Sequence, residues 1–267
     1  MSAPLMQKKN TAWRWQAARL LTPLLLIALW EYGTRTGTIS TFMLPPLSDV
    51  IERIYENLTT GEFPVNCAVT LVRTFIGFAI AAVAGIVLGL AMNRSRLANW
   101  FFDPIVSVGF PMPKIAFLPV VILWLGVYDV SKITVIVIDA IFPVIAATLI
   151  AIRGVERELL WSARNMGASD RELMWQIILP AALPQILTGL QVALPISMII
   201  AVVAEMLMGG YGLGGAMVTA SRFADSRGVF AGIVEIAIVG YVMIKAMTIL
   251  RRRLLIWHQE ANEPTTA

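Results

Sequence analysis

Residues 161–180 read WSARNMGASDRELMWQIILP, a short polar and charged stretch inside a chain that is otherwise almost continuously apolar. Val155, Leu159, Ala163 and Met166 recur at helical spacing before Gly167, and Leu173, Ile177 and Ile178 do so after it. Gly167 can take the left-handed conformation that ends a helix. Ser169 with Glu172 three residues on has the pattern of a capping box that starts the next one. Leu179-Pro180 should then stop that second helix, because proline lacks the amide donor and crowds the preceding turn. The stretch predicts a helix-turn-helix lying outside lipid.

The rest of the chain supplies the lipid-facing mass. Of 267 residues, 58% are hydrophobic and 14% charged, with a mean hydropathy of +0.75, which leaves too little polar surface to cover a soluble globule. A bilayer core needs about 20 apolar residues per helix. About six such segments are present, near 20–36, 66–92, 103–126, 131–152, 184–208 and 229–250. The expected fold is therefore all-α and polytopic. It comprises an N-terminal tail (1–19), a transmembrane domain (20–252) interrupted by the polar loop at about 153–182, and a C-terminal tail (253–267).

Thirteen Lys and Arg residues fall on the side of the N-terminus and of the 153–182 loop, against five on the other. The positive-inside rule then places both termini and that loop in the cytoplasm. The net charge of +4 reflects this topology and gives no reason to invoke nucleic acid. Lys8, Lys9, Arg14 and Arg19 before Leu20–Trp30 look like the first half of a signal peptide, but Glu31, Tyr32 and Arg35 follow where a cleavage site would stand, so an uncleaved first span is expected. One cysteine, Cys67, and one histidine, His258, argue against an intrachain disulfide and a Cys- or His-ligated metal site. No phosphate-loop sequence occurs, so ATP hydrolysis would have to come from another subunit.

Gly210, Gly212 and Gly215 satisfy G-x-G-x-x-G, yet no βαβ pattern surrounds them, and a turn or gate at the outer end of the fifth span is the expected role. Gly77, Ala81, Gly85 and Gly89 place a small residue on every fourth position of the second span, a close-packing face whose neighbour lies either in this chain or in a second copy. Pro104, Pro111, Pro113 and Pro119 should break the third span. Lys114, Asp139, Glu205, Glu235 and Lys245 are charges set in apolar spans. Lys114 and Asp139 either pair with each other or face a cavity. Glu205, beside the glycine run, suits a gate or a contact with a docking protein. Arg73 and Lys245 can snorkel to an interface.

Ala163, Gly167, Ile177 and Leu179-Pro180 stand in an order that resembles the EAA signature of membrane permeases of ATP-binding-cassette importers. Trp161-Ser162-Ala163 replaces the usual Glu-Ala-Ala, so the leading carboxylate is missing. FMLPPLSDVIERIYENL, FPMPKIAFLPVVILWLG and VVAEMLMGGYGLGG extend the likeness to the nitrate, sulfonate and taurine class over about residues 20–258. The resemblance implies a bacterial inner-membrane subunit that pairs with a second copy, two cytoplasmic ATPases and an extracytoplasmic substrate-binding protein. It also implies that Trp161, Ala163, Gly167, Ser169, Glu172, Ile177, Leu179 and Pro180 form a coupling helix, that ATP and Mg bind the ATPase, and that this chain binds no cofactor and catalyses no reaction. Lys114, Asp139, Glu205, Gly210 and Gly212 are the pathway or gate candidates; Lys114 hints at an anion, and the resemblance implies a small solute, for which an organic anion such as a sulfonate is one candidate.

A secondary transporter would show inverted repeats and buried ion ligands, and no convincing repeat is present. An intramembrane enzyme would need a catalytic constellation that one histidine, one cysteine and scattered carboxylates do not supply.

Overall fold

A computed structural model describes residues 7–256, with side chains from residue 21 onward. Every regular element among the described residues is helical. The order is α1 (Gln7–Arg35), α2 (Leu47–Thr59), α3 (Glu62–Arg94), α4 (Arg96–Gly109), a 3-10 turn (Lys114–Phe117), α5 (Leu118–Leu125), α6 (Asp129–Arg153) and α7 (Arg157–Asn165). After these come α8 (Asp170–Glu172), a π-helical turn (Leu173–Ile178), α9 (Leu179–Met208), α10 (Leu213–Arg222) and α11 (Ser226–Leu254). His258 and most of the expected C-terminal tail lie outside the described residues.

By length and composition, four helical stretches can cross a membrane: α3, α6, the run containing α9, and α11. The pair α4 and Lys114–Leu125 makes a fifth crossing bent by 96°. That bend is the break expected of the third span, and it falls at Pro111 and Pro113, where Phe110 to Pro113 leave the helix. The segment expected as the first span lies on α1, which runs back to Gln7 through much of the expected N-terminal tail. Its uncharged apolar run, Leu20–Trp30, is about half the length a bilayer core requires.

The core is built on α3, α6 and α9. The small-residue ladder of α3 meets a matching ladder of α6: a methyl at Gly77 would collide with Ile136, at Gly85 with Val144 and at Gly89 with Thr148, while Ala81 and Ala140 are fully buried. Two i, i+4 rows thus interlock, with only the Ala81 methyl between the backbones on the α3 side. The neighbour of this face lies in the same chain, so the ladder is not a contact with a second copy. Gly189 brings α9 against Ala147 in the same manner. On the far side of α9, Leu194 and Met198 pack with Leu213, Val239, Met243 and Met247, seating α10 and α11.

Candidate functional site

The helix-turn-helix forms as its residues dictate. Gly167 has φ +90°, and the amides of Gly167 and Ala168 return to the carbonyls of Arg164 and Ala163 at 2.9 and 3.1 Å. Those two bonds are the paired closure of a Schellman turn, which satisfies the last carbonyls of α7. On the other side Ser169 Oγ accepts from the Glu172 amide and Glu172 Oε2 accepts from the Ser169 amide at 2.9 Å, a complete capping box. The Ser169 hydroxyl and amide hold the Glu172 carboxyl below the ordinary carboxylate range. Two caps back to back make the turn rigid. Ala163 and Leu173 are buried, whereas Leu159, Trp161, Met166 and Trp175 are exposed, so only part of the expected apolar face is used internally.

Leu179-Pro180 does not end the second helix, contrary to the sequence expectation. The chain passes from α8 through the π turn directly into α9, with the Leu179 amide bonded to the Met174 carbonyl five residues back. An i to i−5 turn widens the backbone just where the ring of Pro180 would otherwise strike the preceding carbonyl, so the proline is accommodated near the start of α9. The second helix of the helix-turn-helix and α9 therefore form one rod. Ile177 and Leu179 are half-buried on it and Pro180 is exposed.

At the opposite end of α9 lies the second candidate site. Glu205 is 0% exposed, which excludes it as a docking contact on the surface. Its carboxylate accepts from Arg73 Nη1 at 2.7 Å, Thr70 Oγ1 at 2.9 Å and the Gly214 amide at 3.1 Å. Thr70 Oγ1 accepts from the Leu213 amide and Asn66 Oδ1 from the Gly212 amide, both at 2.9 Å. Three successive amides of the glycine run are thus held by side chains of α3 and α9. Those amides could cradle an anion only if they were free, which is a structural reason to set aside the nucleotide-binding reading of G-x-G-x-x-G. Gly212 has φ +127°, and a methyl there would strike the Glu205 carboxyl; methyls at Gly214 and Gly215 would strike the carbonyls of Val202 and Gly210. Lys132 Nζ closes the loop by donating to the Gly209 carbonyl at 2.8 Å.

Arg73 does not snorkel. Its side chain is 8% exposed, bonded to Glu205, to the Tyr211 carbonyl at 2.6 Å and to Asp129 Oδ1 at 2.6 Å. Asn66, Thr70, Arg73 and Thr74 form a polar stripe at helical spacing on an apolar helix, a signal in the sequence that could have found this cluster. Beside the loop, a cavity of about 670 Å³ is lined by residues that include Arg53, Asn57, Tyr211 and the buried Glu235, whose carboxylate accepts from Asn57 Nδ2 at 2.8 Å.

Lys114 and Asp139 come together, with Nζ 3.6 Å from Oδ1. Lys114 also donates to the Phe110 carbonyl at 2.9 Å and stands 5.0 Å from the Phe142 ring centroid. Its charge is consumed within the bend between α4 and α5. The structure thus brings the helix-turn-helix residues together at one end of α9 and Glu205, Gly210 and Gly212 at the other. Lys114 and Asp139 form a separate pair.

These features define a class: a polytopic α-helical membrane protein whose long inner helix joins a rigid, solvent-exposed helix-turn-helix to a glycine loop at the opposite membrane face. Residues 81–256 match the model of the binding-protein-dependent transport system inner membrane component family, and the chain belongs to it. It is 31% identical to the taurine transport system permease protein TauC of Escherichia coli (strain K12) over 96% of this chain and 97% of the relative. It is 33% identical to the putative aliphatic sulfonates transport permease protein SsuC of Bacillus subtilis (strain 168), over 89% of this chain and 86% of the relative. Among solved structures, the MetNI methionine ABC transporter in an inward-facing conformation aligns with TM-score 0.59 at 20% identity, covering 73% of this chain and 94% of that one. A bacterial ABC transporter for the acidic polysaccharide alginate aligns with TM-score 0.62 at 15% identity, covering 92% and 98%. At such identities these two likenesses speak to the fold. The chain is an inner-membrane permease subunit of an ATP-binding-cassette importer.

Proposed function

We propose that this permease works as a pair of identical subunits with both termini in the cytoplasm, each seated on one of two cytoplasmic ATPases through residues 157–178, and passes a small sulfonate released by an extracytoplasmic binding protein. The observation that carries the coupling role is the doubly capped turn: a rigid projection with Trp161, Met166 and Trp175 left uncovered. An apolar, preorganised projection loses little conformational freedom on seating in a groove. Trp161 supplies contact area where the family's usual glutamate is absent. ATP and Mg act on the partner, and this chain makes and breaks no covalent bond.

Because the turn continues into α9, a displacement at Leu173 is delivered along one helix to Glu205, which holds the glycine loop. The loop is thereby the outer end of a direct mechanical line from the ATPase. The sulfonate assignment rests on the two relatives named for taurine and aliphatic sulfonates, not on Lys114, whose charge Asp139 neutralises. The test is reconstitution with the cognate ATPase and binding protein in proteoliposomes. ATP-dependent uptake of radiolabelled taurine or an alkanesulfonate supports the assignment; sulfonate-independent uptake of some other solute rejects it.

A further inference from the structure

The end of the membrane domain that carries the helix-turn-helix also holds a cavity of about 800 Å³, set between the C-terminal ends of α3 and α6 and the start of α4. Arg94, Arg96 and Arg153 line it, with Asp103 the one acidic residue among its lining groups. Arg153 Nη2 donates to Asn99 Oδ1 at 3.3 Å. No carboxylate forms an ion pair with any of these three arginines among the described residues, unlike Arg53, Arg73 and Arg227 at the other face, each of which has at least one. The cavity is half apolar: Met92 and Pro104 line it, and Trp100 (75% exposed) and Phe101 stand at it with their rings uncovered. An arginine cluster beside exposed aromatic rings, at the level where apolar helices end, matches the two halves of a phospholipid: a phosphate among guanidiniums and acyl chains against the rings.

We infer that Arg94, Arg96 and Arg153 form a binding site for the headgroup of an anionic phospholipid, held in the leaflet next to the helix-turn-helix. Arg94 also lines a smaller cavity of about 120 Å³ with Met174, Trp175 and Leu179 of the π turn and the start of α9, so the bound headgroup abuts the start of the rod that leads to Glu205.

The test uses the intact permease–ATPase complex, wild type and with Arg94→Gln, Arg96→Gln and Arg153→Gln combined, transferred into nanodiscs of phosphatidylcholine with or without phosphatidylglycerol. Native mass spectrometry then counts retained lipid. Each arginine removed should weaken phosphatidylglycerol retention about fivefold, the ~1 kcal/mol expected per basic residue near an anionic surface. The triple Arg→Lys variant should keep most of the retention. Equal retention by the triple Gln variant with intact ATPase association overturns the inference. Loss of ATPase association with unchanged lipid assigns the surface to the ATPase and overturns it too. Displacement of the lipid by inorganic phosphate as effectively as by phosphatidylglycerol shows an anion site with no acyl contribution, and likewise overturns it.

Discussion

Removing the guanidinium of Arg73 is the sharpest perturbation of the glycine-loop anchor, because its two carboxylate partners lie in opposite environments. Asp129 is 66% exposed, and the pair it makes with Arg73 is worth about 0–1 kcal/mol. Glu205 is fully buried, so Arg73→Met strands a carboxylate away from water at a cost of about 3–5 kcal/mol. Asp129→Asn should therefore lower the melting temperature of the purified complex only slightly, while Arg73→Met should lower it severely and abolish transport. Arg73→Met with Glu205→Met removes both charges and should recover much of the stability but not transport, since Glu205 also holds the Gly214 amide. The measurement is thermal unfolding of the detergent-solubilised complex alongside uptake in proteoliposomes. If Asp129→Asn costs as much as Arg73→Met, or if the double variant is no more stable than the single one, the burial argument fails.

Gly167→Val should reduce ATPase co-purification, since φ +90° costs a branched residue about 1–2 kcal/mol although nothing crowds the site; Gly167→Asn should retain most of it. Lys114→Met should lower expression by leaving Asp139 without its cation, and adding Asp139→Asn should restore it, as read by membrane immunoblot. Because Glu172 is held below the ordinary carboxylate range, its cap is fully present above the unfolded-state pKa and is lost only as pH falls through the lower folded value. ATPase association should thus be insensitive to pH near neutrality, and Ser169→Ala should weaken it at all such pH values.

The parts of the molecule legible in the sequence are the local ones. The Schellman turn and the capping box depend on residues within five positions of Gly167, and both formed as expected. The bend of the third span followed from its prolines for the same reason. The small-residue ladder was legible as a packing face, but its partner was not, since Ile136, Val144 and Thr148 lie some sixty residues away and could equally have belonged to another chain. The anchor of the glycine loop joins Arg73 to Glu205 across 132 positions, and no local rule links them. Pro180 misled because the rule that proline ends a helix assumes i to i−4 bonding, and a π turn relaxes it.

Met166 is 80% exposed at the tip of the turn, and a cysteine there reports most directly on whether the projection seats on the ATPase. With Met166→Cys in a Cys67→Ala background, a photoactivatable benzophenone maleimide on the introduced thiol should join the permease to the ATPase subunit in inside-out vesicles, and a membrane-impermeant maleimide should not reach that thiol in intact spheroplasts. Labelling of that thiol from outside intact spheroplasts, with no cross-link to the ATPase, would contradict both the orientation and the coupling role.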